Sequence, residues 1–230
     1  AGETEIGARV ITKDEDISET NETFDLEVTV IEGKTANGIT TGTGTIIDND
    51  GTPSIIIGDA VLDEQNGVIV FKVSLTNPSA TEVTVDFKTE DDTAEAGKDY
   101  TNTTGTVTFP IGTTVQYIQV PINDDNVYED DENFKVILEN AVNAEISDPE
   151  GLGTIKDNDL PSIEVTDTQV VEGDAAQFVI KLTNPSVEDI KVRLTPKADT
   201  ATENEDYSPE VEVLVNGVWT MVDEATIPAG

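Results

Sequence analysis

Ile69-Val70-Phe71-Lys72-Val73-Ser74-Leu75 decides the fold class. Apolar residues recur at every second position, Ile69, Phe71, Val73 and Leu75, with Val70, Lys72 and Ser74 between them. A period of two belongs to a strand with one face packed and the other wetted, not to a helix. The alternation continues outward through Val83, Val85 and Phe87, then Val107 and Phe109, then Ile118, Val120 and Ile122, then Phe134, Val136 and Leu138. Asn77-Pro78, Ala96-Gly97 and Pro110-Ile111-Gly112 supply turn chemistry between these runs. No long stretch has convincing helical periodicity. The expectation is an all-β chain, with about seven strands in about 108 residues forming an antiparallel β-sandwich. Tyr100, after the loop 91–99, is expected to pack its ring under that loop and keep its hydroxyl near the surface.

The pattern repeats. Thr45-Ile46-Ile47-Asp48-Asn49-Asp50 returns as Thr154-Ile155-Lys156-Asp157-Asn158-Asp159, an offset of 109. Leu75-Thr76-Asn77-Pro78-Ser79 returns as Leu182-Thr183-Asn184-Pro185-Ser186, an offset of 107. Asp99-Tyr100 returns as Asp206-Tyr207, and Glu19-x-x-Glu22-x-Phe24 returns as Glu129-x-x-Glu132-x-Phe134. Several matches at nearly one offset mark tandem repeats. Residues 1–50 read as the C-terminal half of one repeat, 51–159 as a complete repeat, and 160–230 as the N-terminal part of a further one. The patterned sequence runs to both ends, so a segment of a longer array is expected. Extra residues in the last copy include Asn216-Gly217 between apolar runs, the signature of a hairpin tip.

Composition narrows the partners. The chain carries 48 Asp+Glu against 12 Lys+Arg, a net charge of −36, with no His and no Cys. Such a surface excludes nucleic acid, whose phosphates need a basic one, and it costs stability through self-repulsion unless cations bind. No disulfide or thiolate metal site is possible. No stretch approaches 18 apolar residues, so no membrane-inserted helix is expected. The charge is concentrated. Asn123-Asp124-Asp125-Asn126-Val127-Tyr128-Glu129-Asp130-Asp131-Glu132-Asn133 places six carboxylates in the ten residues 124–133. This is either a solvated acidic loop or a hard-cation site. Its recurrence beside an Asp-Asn-Asp triplet favours calcium, which takes six to eight oxygen ligands at about 2.3–2.6 Å in flexible geometry. Magnesium keeps its waters, and zinc or copper would want His or Cys. Without His or Cys the common nucleophile systems are missing, and the chain is not expected to be an enzyme.

Phe87-Lys88-Thr89-Glu90-Asp91-Asp92-Thr93-Ala94-Glu95-Ala96-Gly97-Lys98-Asp99-Tyr100, then Gly105-Thr106-Val107-Thr108-Phe109, the acidic stretch and the Asp-Asn-Asp ending together resemble a Calx-beta domain. The resemblance covers all of 51–159 and, as partial copies, nearly all the rest. It implies an immunoglobulin-like sandwich with calcium at one tip. The ligands it implies are Glu64, Asp99, Asp124, Asp125, the carbonyl of Val127, Glu129, Glu132 and the triplet Asp157-Asn158-Asp159. In the partial copies the matching residues are Asp14, Glu15, Glu19, Glu22, Asp48 and Asp50 at one end, and Glu172 and Asp206 at the other. Asn158 stands where the strongest binders of the family carry Asp.

The two partial copies are complementary in ligands and strands, so neighbouring repeats, or half-repeats associating head to tail, are the expected partners. The leading expectation is a calcium-stiffened structural segment of a large extracellular protein, such as a bacterial adhesin or matrix protein at the cell surface. Two rivals stand beside it: a calcium-sensing regulatory domain pair of a membrane transporter, and an accessory module of a secreted enzyme.

Overall fold

A computed structural model describes residues 4–230. They are all-β, with no α-helix among the described residues. The chain divides into two compact units. One holds the residues up to Leu62 with Val68–Ile122 and Asn133–Thr154, and the other holds Asp63–Gly67, Asn123–Glu132 and Ile155–Gly230.

The first unit opens on a hairpin of β1 (Glu22–Thr29) and β2 (Ile39–Ile46), in which Phe24 lies opposite Gly44. Then follow β3 (Ser54–Ile57), β4 (Ala60–Asp63), β5 (Val68–Leu75), β6 (Val83–Asp91), β7 (Thr104–Phe109), β8 (Val115–Pro121), β9 (Glu132–Val142), β10 (Glu145–Asp148) and β11 (Glu150–Lys156). They form two sheets, in the orders β10-β3-β5-β8 and β4-β11-β9-β6-β7. The alternating positions named from the sequence are buried as expected, except Phe87, which is half-buried. Ile69, Phe71 and Val73 from β5 are buried, as are Val83 and Val85 from β6, Ile118 and Val120 from β8, and Phe134, Val136 and Leu138 from β9.

Two features depart from the expected antiparallel, seven-strand sandwich. The first strand of the sandwich is split, so that β3 lies in one sheet and β4 in the other. Gly58, in the break, donates its N–H to the Lys72 carbonyl at 3.0 Å. In addition, β10 pairs with β3 in parallel. After β9 the chain turns at Asn143, in the left-handed region (φ 63°), and crosses to the opposite sheet. A tight antiparallel hairpin would have kept β9 and β10 side by side in one sheet; leaving that sheet brings β10 to β3 running in the same direction. The register shift between Ile146 and Asp148 shows how irregular that parallel pair is.

Aromatic rings join the two sheets. Phe71 of β5 meets Phe134 of β9 edge to face at 5.8 Å, and Tyr100 stacks on Phe134 at 4.4 Å. Tyr100 is buried as expected, but its hydroxyl does not simply reach the surface. It donates to Asp91 Oδ1 at 2.6 Å, and Asp91 also accepts from Ala96 N–H at 2.8 Å. The hydroxyl bond, then the backbone bond, holds the Asp91 carboxyl below its usual range. Asp91 is therefore a structural anchor for the 91–99 loop.

In the second unit β12 (Ile163–Val165) pairs with β13 (Ile180–Leu182), and β14 (Ile190–Arg193) pairs with β17 (Glu224–Ile227). Between β14 and β17 lies the inserted hairpin of β15 (Glu212–Val215) and β16 (Val218–Met221). Asn216 and Gly217 form its tip with φ of 51° and 80°, the two positive values that a type I′ turn requires. Trp219 is half exposed, opposite Leu214 on this hairpin.

Gly153 on β11 gives a sharp test of the core. A Cβ there would lie 2.7 Å from Phe134 ring atoms and 2.8 Å from Phe71, both rings fully buried. Neither ring has room to withdraw. Gly153→Ala is expected to cost about 2–3 kcal/mol, the range of core overpacking, read as a fall in thermal midpoint of roughly 8–20 °C. Gly44→Ala, which meets the partly exposed ring of Phe24, should cost less than half as much.

Candidate metal centre

The site begins where β4 ends. The chain enters a single 3-10 turn, Glu64–Asn66, closed by Gly67 in the left-handed region (φ 75°) with its N–H on the Glu64 carbonyl at 3.0 Å. This turn places the Glu64 side chain inward, 7% exposed. Its Oε1 accepts the N–H of Asn158 at 3.3 Å, while Asn158 Oδ1 accepts the N–H of Gln65, also at 3.3 Å. Turn and triplet thus grip each other reciprocally. Carboxylate oxygens of Glu64, Asp124 and Asp159 lie within 4.8 Å of one another.

The triplet also binds the acidic stretch. Asp157 Oδ1 accepts the N–H of Glu129 at 3.2 Å, and its Oδ2 accepts the N–H of Asp159 at 3.2 Å. Asp125 Oδ1 accepts the N–H of Val127 at 2.7 Å, an Asx turn that bends the chain between Asp124 and Glu129. Oxygens of Glu129 and Glu132 also lie within 4.8 Å of each other. Lys156 reaches Asp131 at 3.8 Å, but both side chains are about half exposed and such a pair adds little.

The electrostatics follow from this crowding. Burial pushes the Glu64 carboxyl up to about 7; the Asn158 N–H opposes the rise, and Asp159 and Asp157 add to it. Every donor that could fill the space is an oxygen. That is the chemistry of a hard cation, and the chain has no His or Cys to offer a softer one. Asn158 uses Oδ1 on Gln65 and donates Nδ2 to Asp159 Oδ2 at 3.0 Å, which makes it a brace between acids.

The other sequence-derived residues fall as follows. Asp99 is half-buried, and its Oδ2 accepts the N–H of Glu95 at 2.7 Å, closing its turn. Asp206 makes the same bond to Thr202 N–H at 2.7 Å. Glu172 is exposed, on a loop that turns at Gly173. In the first unit, the Glu19 carboxyl is pushed up by desolvation, then by Glu22, Glu15 and Asp48. Asp50 is pushed up by desolvation, then by Asp48 and Asp14. Asn49 bridges toward Asp14 at 3.4 Å. Acids of residues 1–50 thus lie near enough to raise Glu19 and Asp50, but among the described residues no three of them bring their oxygens within 4.8 Å of one another.

A sandwich whose loop-borne carboxylates gather beside a linker triplet defines a class: an all-β tandem repeat with an oxygen-only cation centre. The Calx-beta domain family matches residues 48–159 and again residues 155–217, more than half of the chain. The chain belongs to the Calx-beta family. It is 54% identical to sodium/calcium exchanger 1 of Rattus norvegicus over 67 residues, which is 29% of this chain and 7% of the exchanger. It is 44% identical to sodium/calcium exchanger 3 of Homo sapiens over 77 residues, 34% of this chain and 8% of that protein. The matched stretches are thus less than a tenth of each exchanger. Among solved structures, the apo-form Calx CBD1 domain is similar at 25% identity and a TM-score of 0.45, covering 47% of this chain and 100% of that one. The CBD12 structure from CALX1.2 is similar at 23% identity and a TM-score of 0.45, covering 76% of this chain and 72% of that one.

Glu64 sets a pH dependence. Its folded value of about 7 lies above the ordinary 4.5. A group raised on folding adds stability that is full below its unfolded value and is lost as pH climbs through the folded one. Glu64→Gln carries the neutral form at every pH. In chelator, the wild type should match that variant near pH 4 and fall behind it by roughly 1–2 kcal/mol by about pH 8. A stability difference that does not change with pH would show that Glu64 holds no extra proton.

Proposed function

We propose that this chain is a calcium-binding structural repeat segment of a large extracellular protein, an adhesin or matrix protein at the cell surface, in which calcium rigidifies the domain junctions. The observation that carries this reading is the convergence of Glu64, Asp124 and Asp159, the last from the linker triplet. In this reading calcium takes those three with Asp125, the Val127 carbonyl, Asp157, Asp99, Glu129 and Glu132. Carboxylates that repel one another become a stabilising cross-link once the ion is present. The partners are neighbouring repeats. Residues 1–50 carry the acidic stretch and triplet, and 160–230 carry the counterparts of Glu64 and Asp99. Such halves complete each other when one repeat follows another, along one chain or head to tail between chains. No catalytic step is part of this function.

A second reading is favoured by the identity shared with sodium/calcium exchangers 1 and 3: a regulatory calcium-sensing domain pair of a membrane transporter. The two readings differ in affinity. Extracellular calcium modules work near 10⁻⁴–10⁻³ M, whereas sensors work near 10⁻⁷–10⁻⁵ M.

Thermal unfolding and calorimetric titration test both. Calcium at 100 times its dissociation constant should stabilise the folded chain by about 2.7 kcal/mol. Asp159→Asn and Glu129→Ala should each remove at least half of that gain. A midpoint indifferent to calcium against chelator would sink both readings. A dissociation constant at or below about 10 μM would replace the structural reading with the sensor.

A further inference from the structure

Leu-Thr-Asn-Pro-Ser occurs twice, and each time it grips the acidic stretch and linker that precede its own repeat. In the first unit, Ser18 N–H donates to the Pro78 carbonyl at 2.9 Å, and Ala80 N–H donates back to the Ser18 carbonyl at 2.9 Å. Asn77 Nδ2 faces the carbonyls of Asp50 at 3.5 Å and Gly51 at 3.4 Å. In the second unit, Tyr128 N–H donates to the Pro185 carbonyl at 2.9 Å, and Val187 N–H donates back to the Tyr128 carbonyl at 3.0 Å. Asn184 Nδ2 donates to the Asp159 carbonyl. Both contacts are parallel bridges, Ser18 with Ser79 and Tyr128 with Ser186.

The loop is built for this grip in both copies. The Thr76 hydroxyl donates to Asn77 Oδ1 at 2.9 Å, and the Thr183 hydroxyl donates to Asn184 Oδ1 at 2.9 Å. That bond fixes the amide so that its N–H₂ faces the linker. Ser79 and Ser186 are 5% and 3% exposed, and each Oγ accepts the N–H two residues on, Thr81 at 3.1 Å and Glu188 at 3.0 Å. The proline between Asn and Ser needs no donor and leaves its carbonyl for the incoming strand.

We propose that the Leu-Thr-Asn-Pro-Ser loop of each repeat is a docking surface for the acidic segment and linker of the repeat before it, recognised through the main chain. Main-chain recognition explains why Ser18 and Tyr128, unlike in size and chemistry, occupy one position with the same pair of bonds. It also gives the surface a definite partner: any repeat that carries both the acidic segment and the Asp-Asn-Asp linker. The docked residue lies one position before Glu19 in one copy and Glu129 in the other. The loop therefore holds the very backbone whose carboxylates face the cation, a consequence that rests on the calcium reading while the docking itself does not.

Amide hydrogen exchange on the full chain tests both levels. In chelator, the Val187 amide should be protected at least tenfold relative to its exchange in Tyr128→Pro, which removes the donor to Pro185. Tyr128→Ser should retain that protection, and Asn184→Ala should lose most of it. Equal exchange in the wild type and Tyr128→Pro, or lost protection in Tyr128→Ser, would overturn main-chain docking. In calcium, Asn184→Ala should weaken binding three- to tenfold by calorimetry without changing the number of ions bound. Unchanged affinity in that variant would overturn the link to the cation site. A wild type that binds no calcium but keeps the chelator-state protection pattern would overturn the calcium reading and leave the docking standing.

Discussion

Carboxylates that must share a small space govern this molecule. Glu64, Asp124 and Asp159 approach within 4.8 Å, and burial, with Asp159 and Asp157 adding to it, raises the Glu64 carboxyl. The answer to this repulsion is built almost wholly from backbone. Asn158 N–H turns to Glu64, Glu129 N–H and Asp159 N–H to Asp157, and Val127 N–H to Asp125. Main-chain dipoles orient the acids without cancelling them, so the gathered charge remains for a cation. A lysine in the same place would have ended the matter by filling the site itself.

That arrangement depends on segments too short to fold alone. The 3-10 turn after β4, the bent acidic segment and the linker triplet have almost no core of their own. Each is continuous in sequence with a strand. Glu64–Asn66 runs into β5, the acidic segment runs into β9 with its buried Phe134, and the triplet leaves β11. Phe134 contacts both Phe71 and Tyr100, and Gly153 leaves room for the Phe134 and Phe71 rings.

Much of this was legible in the chain. Period-two alternation named nearly every buried position, because a strand facing a core has no other way to write itself. The Asn-Gly tip and the repeat offsets were equally plain. The split of β3 from β4 and the parallel arrival of β10 were not, since both are changes of sheet and a change of sheet leaves the alternation intact. Among the site residues, the dense acidic run and the triplet announced themselves by charge. The part played by Asp91 did not: it looks like any loop acid until Tyr100 is seen to reach it. The Thr-Asn-Pro-Ser motif was visible only as a marker of repetition, because its work is done by backbone groups that every residue carries.

The copies within this one chain show which of these devices tolerate change. At the position of Asp91 the last repeat has Ala198, and there the Tyr207 hydroxyl is buried without a partner. At the position of Gly97 it has Asn204, which accepts the same left-handed backbone with φ of 64°. Eleven residues have entered between β14 and β17, where the offset grows from 107 at Ile190 to 118 at Ile227. Loop anchors, turn residues and strand connections have all drifted. The Thr-Asn-Pro-Ser loop has not, and its main-chain hydrogen bonds to the preceding segment agree within 0.1 Å between copies. A buried unpaired hydroxyl costs on the order of 1–3 kcal/mol, and the last repeat carries that cost. Local stability has therefore been the variable quantity in these repeats, and the attachment of one repeat to the next the fixed one. That ordering is what a protein needs if its function lies in the string of repeats and not in any single one.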